Sequence, residues 1–210
     1  MSTVNIEPVG ILYRYSNHYF SALETLRKLM QSLEDERTGL VLPFTITCAA
    51  TLESLLNDHI VSELWEEWTE DHYKQLSESY LTMSLRGKLD SIVSLLTHNR
   101  FLINRDHKIY CRLAALVSLR NKLVHKKSFM EEYMFEFHED EQGIMQMRSP
   151  SLSQPKFKDI TMGIEAEFGV FEFHDSLLGL KDKFFSVYQK PDFSGNDLIL
   201  GQEKLFPGPA

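Results

Sequence analysis

Apolar residues recur at helical spacing along most of the chain. In residues 17–37, NHYFSALETLRKLMQSLEDER, apolar positions such as Phe20 and Leu23 lie three and four apart, with charged residues between them. This spacing predicts an amphipathic helix, because side chains three and four apart share one helix face. Ser16 suits the N-cap position, and Gly39 is expected to end the helix.

The next helix is predicted over residues 44–68, with Pro43 in its first turn, where the missing N–H of proline costs no helical hydrogen bond. This segment is apolar over a wide arc, so we expect it to be central. Residues 66–83 are acidic and aromatic and are predicted to be a loop with a short helix. Two more helices, joined by a connector, are predicted over residues 85–99 and 109–127.

The pattern changes after the fourth helix. Residues 132–149, EYMFEFHEDEQGIMQMRS, alternate apolar and polar positions around a polar turn, which is typical of a β-hairpin. A last helix is predicted over residues 173–190. The sequence therefore predicts an all-α fold, an antiparallel bundle of four to five helices that carries a C-terminal β-hairpin insertion.

The length of 210 residues fits one domain with an appendage. We predict a single helical domain over residues 16–190. Its core is residues 16–130, followed by the hairpin and last helix in residues 131–190. Residues 1–15 and 191–210 are predicted to be irregular tails.

The cysteines and the hydropathy pattern indicate a cytoplasmic protein. Cys48 and Cys111 stand alone on apolar helical faces and are interpreted as small core residues, since two isolated cysteines do not form a disulfide framework. No segment has the pattern of a targeting peptide. None approaches the run of about 18 apolar residues that spans a membrane, so no membrane partner is expected.

Charge is distributed unevenly along the sequence. The formal net charge is −8, which does not favour nucleic-acid binding by the chain as a whole. Residues 98–128 nevertheless contain eight basic residues and one acid, Asp106, so the other 179 residues must carry −15. Lysines near the end of a solvated helix are one explanation. A phosphate-binding surface is the other. The basic residues are Arg100, Arg105, Lys108, Arg112, Arg120, Lys122, Lys126 and Lys127.

Within this basic segment, LVSLRNKLVHKKS places Arg120, Asn121 and His125 at the edge of an apolar helix face. Because the unperturbed pKa of histidine is about 6.5, this side chain is suited to removing a proton from a ribose 2′-hydroxyl. Arginine stays charged and can hold two phosphoryl oxygens. Asparagine can orient the histidine or a substrate oxygen. The alternative is a buried Arg–His–Asn network that only ties helices together.

The stretch RNKLVH resembles the R-[N/D/H]-x-x-x-H signature of HEPN domains, the higher eukaryote and prokaryote nucleotide-binding helical bundles. PFTITCAATLESLLNDHI is similar to the early HEPN helix, and Glu53 stands where that helix often carries an acidic residue. The resemblance covers roughly residues 16–130. It implies that Arg120 and His125 are catalytic, with Asn121 and Glu53 in support.

Many HEPN proteins are metal-independent endoribonucleases that act as dimers in toxin–antitoxin pairs, antiviral systems and RNA processing. The resemblance therefore implies an RNA-cleaving homodimer paired through the motif helix, with an antitoxin or other protein partner. Substrate contacts are expected from Arg112, Lys122, Lys126 and Lys127. No cofactor or metal is expected, because neither an HExxH nor a CxxC pattern occurs. The alternatives are an inactive HEPN-like interaction or nucleotide-binding module, and an unrelated helical scaffold.

Overall fold

The computed structural model describes residues 14–33, 37–67, 70–124, 136–139, 145–148, 169–188 and 197–201, and this part of the chain is mostly helical, as the sequence predicts. The helices are α1 (Ser16–Ser32), α2 (Thr38–Glu67), α3 (Glu70–Leu81), α4 (Leu85–Leu96), α5 (Lys108–Val124) and α6 (Val170–Tyr188). The strands are β1 (Phe101–Ile103), β2 (Glu136–Glu139), β3 (Met145–Arg148) and β4 (Ile199–Gly201).

Helix α2 is the centre of the fold, as its wide apolar arc predicted. It packs against α1, α3, α4, α5 and α6. A helix that is apolar on most sides must bury most of them, and neighbours on several sides satisfy that requirement. Its fully or nearly fully buried apolar residues are Val41, Phe44, Cys48, Ala49, Leu52, Leu55, Leu56, Ile60 and Leu64.

The boundary between α1 and α2 differs from the prediction. Helix α1 ends at Ser32, and Gly39 lies in the first turn of α2 instead of ending α1. Pro43 is inside α2 rather than opening it. Starting the helix earlier buries Val41 completely, while Pro43 removes only one backbone N–H close to the helix start. Burial of Val41 in the added turn explains why the proline does not set the boundary.

Length and composition make α2 comparable to a membrane-spanning helix. Residues Thr38–Leu64 include an 18-residue window with a mean hydropathy of 1.6, although no such segment was expected from the sequence. Half of that window is buried inside the protein. The central helix of a bundle and a membrane span share this composition, and the packing of α2 against five other helices accounts for it.

Helices α1 and α6 run antiparallel. Asn17 near the start of α1 contacts Lys181 of α6 at 3.3 Å, whereas Arg27, further along α1, contacts Asp175. The chain order of the contacts is therefore reversed between the two helices. The last helix, predicted over residues 173–190, is observed as α6 and lies against both α2 and α5.

Helices α5 and α6 pack closely because Gly179 has no side chain. A Cβ placed on Gly179 would lie 2.8 Å from Cδ1 of Ile109. Further along α5, Arg112 forms an ion pair with Glu172, so these helices are also antiparallel. The predicted fourth helix is thus observed as α5 and is held against α6 along its first half.

Residues 66–83 contain more helix than predicted. The segment was interpreted as a loop with a short helix, and α3 occupies twelve of its residues. Helix α4 follows with Ser84 as its N-cap, whose hydroxyl accepts a hydrogen bond from the backbone N–H of Gly87 at 3.1 Å. This bond satisfies one of the amide groups that lack a partner at a helix start.

Strand β4 corrects the prediction that residues 191–210 form an irregular tail. It pairs antiparallel with β1, with Phe101 opposite Gly201 and Ile103 opposite Ile199. Asn104 reinforces the pairing, since its backbone N–H donates to the carbonyl of Leu198 at 2.8 Å. The packed unit therefore extends to residue 201, and the predicted connector between the third and fourth helices contains a strand.

Strands β2 and β3 pair antiparallel, in agreement with the predicted hairpin. Glu136 lies opposite Arg148 and Glu139 opposite Met145. The turn between them, residues 140–144, lies outside the described residues. The alternation of apolar and polar positions was therefore sufficient to identify both strands.

Candidate functional site

Helix α5 carries residues 120–124 of the motif at its end and is anchored by its earlier turns. Its apolar side is buried against α2, α4 and α6. Arg120 is half-buried, and Asn121 and Lys122 are exposed. The end of a well-packed helix thus presents polar side chains to solvent from a fixed backbone. The anchoring residues are Tyr110, Leu113, Leu116 and Val117.

Arg120 and Asn121 contact each other directly. Nη1 of Arg120 donates to Oδ1 of Asn121 at 3.1 Å. The contact uses the amide oxygen of Asn121, so its NH₂ group is the part that can donate to a histidine nitrogen or a phosphoryl oxygen. Since the two residues are neighbours in sequence, their hydrogen bond joins no helix to another.

Three of the predicted site residues, His125, Lys126 and Lys127, lie outside the described residues, in which α5 ends at Val124. The roles assigned to them stay predictions. The described part of the predicted site at this end of α5 consists of Arg120, Asn121 and Lys122.

Arg112, predicted to bind substrate, is engaged elsewhere. It forms an ion pair with Glu172 in the first turn of α6, and the two side chains are 28% and 45% exposed. It lies eight residues before Arg120, which corresponds to about 12 Å along the helix. A phosphate at Arg112 would have to compete with the carboxylate of Glu172. The structure therefore gives Arg112 a contact between helices.

Glu53, predicted to support the motif, is paired with α4. Its carboxylate lies 3.7 Å from Nζ of Lys88, which is only 2% exposed and also donates to Oδ1 of Asn57 at 2.8 Å. Glu53 and Asn57 share one face of α2, as their spacing predicts. Among the described residues, its ion-pair partner is thus this buried lysine of α4 and not Arg120.

Lys88 was missed by the sequence reasoning, although a signal was present. It lies three residues after Leu85 and four before Ile92, both buried, so helical spacing places it on the apolar face of α4. A buried ammonium group needs partners that replace water. Asn57 and Glu53 on α2 supply them.

A second polar network joins the start of α5 to α4. The hydroxyl of Tyr110 donates to Asp90 and accepts a hydrogen bond from Nη2 of Arg86 at 2.7 Å. Nη2 of Arg105 lies 3.3 Å from the other carboxylate oxygen of Asp90. Burial raises the pKa of Tyr110, and the Asp90 carboxylate acts in the same direction. Arg105 of the basic segment is therefore paired with an acid, like Arg112.

A third network links α1 to α6 around a buried histidine. Nη1 of Arg27 lies 3.0 Å from Nδ1 of His174 and 2.5 Å from Asp175. Because arginine only donates, Nδ1 of His174 must accept, so the neutral ring carries its proton on Nε2. The guanidinium carbon of Arg27 also lies 5.1 Å from the centroid of Phe171. Burial and the nearby Arg27 lower the pKa of His174.

His59 of α2 is a second buried histidine near α1. Burial lowers its pKa to about 4, and the positive charges of Arg14 and Lys181 add to this shift. It was not among the site residues predicted from the sequence. Its position on the apolar side of α2, four residues after Leu55, is a signal of burial that spacing provides.

The two cysteines differ from each other. Cys48 is buried, as expected for a small core residue, and burial raises the pKa of its thiol. Cys111 is exposed, so its interpretation as a core residue was wrong. Its Sγ donates to the carbonyl of Arg105 at 3.3 Å.

Within the described ranges, no three metal-ligating side chains lie together.

Comparison of the chain with protein-family models, with curated proteins and with solved structures finds no match. The functional argument therefore depends on the sequence motif and on the side-chain environments described above.

Proposed function

We propose that this protein is a metal-independent endoribonuclease of the HEPN type, with a HEPN-like bundle around α2. The observation that supports the proposal is the Arg120–Asn121 pair at the solvent-facing end of α5. Helix α5 is buried on its other side, so the pair stands on a fixed backbone at the start of RNKLVH. A guanidinium held there can stabilise negative charge on a phosphodiester.

In the proposed reaction, His125 takes the proton of a ribose 2′-hydroxyl while that oxygen attacks the adjacent phosphorus. Arg120 balances the charge that develops on the phosphoryl oxygens. The bond from phosphorus to the 5′-oxygen then breaks, and the leaving oxygen must gain a proton. The products are a 2′,3′-cyclic phosphate and a free 5′-hydroxyl.

The second proton transfer is the reason to propose a homodimer. One RNKLVH segment offers one histidine, whereas cleavage needs a base and an acid. A symmetric pair of chains with their α5 ends facing each other would bring two histidines to one phosphate. The proposal includes Lys122, Lys126 and Lys127 as phosphate contacts, a cytoplasmic location and a protein partner that restrains the enzyme, such as an antitoxin or a component of antiviral defence.

Cleavage of a mixed RNA pool in EDTA tests this function. Wild-type protein should cleave, and Arg120→Ala and His125→Ala should each lose at least about 100-fold in rate. Arg37→Ala, which removes an exposed arginine outside α5, is the matched control and should cleave normally. Cleavage by either motif variant at the wild-type rate would refute the assignment, as would the absence of cleavage by folded wild-type protein at several pH values.

A second candidate function is an inactive HEPN-like module that binds a protein or a nucleotide. The observation that favours it is the engagement of two predicted site residues, Arg112 and Glu53, in ion pairs with Glu172 and Lys88. In that case neither the wild-type protein nor any motif variant cleaves RNA, although the protein folds. The same EDTA assay therefore separates the two candidates.

A further inference from the structure

A cleft lies between the end of α2, α3, α4 and β1. Its volume is about 520 Å³, within the range of small-molecule sites. Its apolar lining comes from Leu64, Leu76, Leu95 and Leu102, together with the ring of Tyr80. Side chains from four separate elements thus meet around one space.

One face of α4 supplies hydroxyl groups to the lining. Ser94 and Leu95 come three and four residues after Ser91, so the three side chains share that face. The hydroxyl of Ser94 donates to Oδ1 of Asn99 at 2.6 Å and holds the turn that follows α4. Ser91 lines the cleft beside Leu95, and its hydroxyl can donate a hydrogen bond to a ligand or accept one from it.

The acid in the lining, Asp90, is already paired with cations. Its Oδ1 accepts a hydrogen bond from Tyr110 and lies 3.3 Å from Nε of Arg86, while its Oδ2 lies 3.3 Å from Nη2 of Arg105. A cationic ligand at Asp90 would stand beside two guanidinium groups, which disfavours its binding. Neither arginine belongs to the described lining, so an anionic ligand in the cleft would meet the carboxylate instead of a guanidinium.

The histidine of the lining, His98, lies beyond the end of α4 and is close to a second acid. Its Nε2 lies 3.9 Å from Glu63, whose side chain is 12% exposed. A positive charge gained by His98 on protonation would therefore be balanced by this carboxylate. The described lining thus offers an unbalanced charge to neither an anion nor a cation, which favours an uncharged ligand.

We propose that this cleft binds one uncharged aromatic molecule with a single neutral hydrogen-bonding group, whose rings lie between Leu76 and Leu102 and whose polar group lies at Ser91. Contact with the leucines removes the apolar rings from water, which stabilises the complex. The serine hydroxyl forms a hydrogen bond with the one polar group that is buried. A charged molecule of similar shape would lose its hydration without gaining a partner. The site does not depend on RNA cleavage, since Asp90 in its lining contacts the start of α5 and the motif lies at the other end.

The probe for a first test is N-phenyl-1-naphthylamine, an uncharged aromatic amine that has one N–H group and fluoresces in apolar surroundings. Folded wild-type protein should bind it saturably, with one molecule per chain. The anion 8-anilinonaphthalene-1-sulfonate has the same rings with an added sulfonate. It should bind at least about 10-fold more weakly, because the described lining supplies no arginine or lysine for the sulfonate. Equal or tighter binding of the sulfonate would overturn the proposal, as would the absence of saturable binding of the amine.

Two variants on different elements test the position of the site. Leu102→Glu places a charge in the apolar lining, and Ser91→Phe fills the cleft without adding a charge. Each should weaken binding of the amine at least about 10-fold in protein that urea unfolding shows to be folded. Leu178→Glu on α6 is the matched control for charge, because both leucines are 38% exposed. Ser21→Phe, at an exposed position on α1, is the control for size. Both controls should bind as wild type does. Wild-type affinity in the two cleft variants, or equal weakening by the controls, would place binding elsewhere and overturn the proposal.

Discussion

The polar contacts of the interior join residues far apart in sequence, whereas the contact at the end of α5 joins neighbouring residues. In the interior, Arg27 contacts His174 and Lys88 contacts Asn57, pairs separated by 147 and 31 residues in sequence. At the end of α5, Arg120 contacts its immediate neighbour. Interior pairs connect helices and reduce the cost of burying polar groups. The Arg120–Asn121 pair connects nothing across the fold.

This difference predicts which cations contribute to the stability of the fold and which do not. A cation that bridges two helices contributes to the free energy of unfolding, because its loss leaves a buried partner unsatisfied. A cation that contacts only the next residue at an exposed helix end contributes little to stability. Of the residues assigned from sequence to the site, Glu53 pairs with the buried Lys88 of another helix. Arg112 also bridges two helices, but its partner Glu172 is half-exposed.

The largest expected effect is at the end of α5 and concerns activity alone. Arg120→Ala should reduce RNA cleavage about 100-fold or more while changing the free energy of unfolding by less than about 0.5 kcal/mol. Paired measurements of cleavage rate and urea unfolding on the same preparation check this. A large loss of stability in Arg120→Ala would contradict this distinction, because Arg120 would then contribute to stability as the interior cations do.

The buried histidines should make the interior sensitive to acid. The pKa of His59 is about 4 in the folded protein and 6.5 for an unperturbed histidine. Between these values the unfolded chain binds more protons, so stability is complete above about pH 6.5 and falls as the pH decreases towards 4. A difference of about 2.5 pH units corresponds to about 3 kcal/mol. His174, whose pKa is also lowered, acts in the same direction.

Urea unfolding measured from pH 7.5 to pH 4 checks this expectation. His59→Gln should be less stable at pH 7.5 but should lose less stability on acidification than wild type. His18→Gln, at an exposed position on α1, is the control and should follow the wild-type curve. An unchanged slope in His59→Gln would show that other groups cause the acid sensitivity.

A smaller effect is expected in the network at the start of α5. Tyr110→Phe removes the hydroxyl between Arg86 and Asp90 and should lower the free energy of unfolding by about 1–2 kcal/mol. Thermal or urea unfolding measures the change, with Tyr19→Phe at a 40% exposed position as control. Equal stability of Tyr110→Phe and wild type would indicate that solvent replaces the lost bonds.

The smallest effect is expected for Arg112. Arg112→Gln breaks an ion pair with a half-exposed Glu172, so the loss of stability should be no more than about 1 kcal/mol. Lys28→Gln, in the more exposed pair with Glu24, should change stability less. If Arg112→Gln instead reduces RNA affinity with no change in stability, Arg112 belongs with Arg120 and its assignment from sequence as a substrate contact is correct.

Sequence periodicity predicted the helices because helical spacing is a local property. Residues such as Leu52 and Leu56 recur every three or four positions and are buried as expected. The boundary near Pro43 was predicted wrongly, because burial of Val41 outweighs the local preference of proline for the first turn. Local sequence preferences therefore predicted the presence of the helices better than the residues at which they begin and end.

For the candidate site, helical spacing placed Arg120 and Asn121 on α5, where their side chains contact each other, and the catalytic roles assigned to them stay predictions. Glu53 was assigned to the motif, whereas a lysine 35 positions away in sequence is its ion-pair partner. The strand at residues 199–201 was missed since its partner, β1, lies almost a hundred positions earlier. Helical spacing places Lys88 on an apolar face, but no local pattern identifies Glu53 as its partner or β1 as the partner of the last strand.

The sequence by itself determined the helical class, the central position of α2 and the location of Arg120 and Asn121 near the end of a helix, because these depend on the spacing of side chains within one or two turns. Only the tertiary structure decided which charged groups are paired, as with Arg105 and Asp90 or Arg27 and His174. The physical reason is that such pairs form when packing of apolar faces brings distant helices together, and the charges then take the partners that lie within reach.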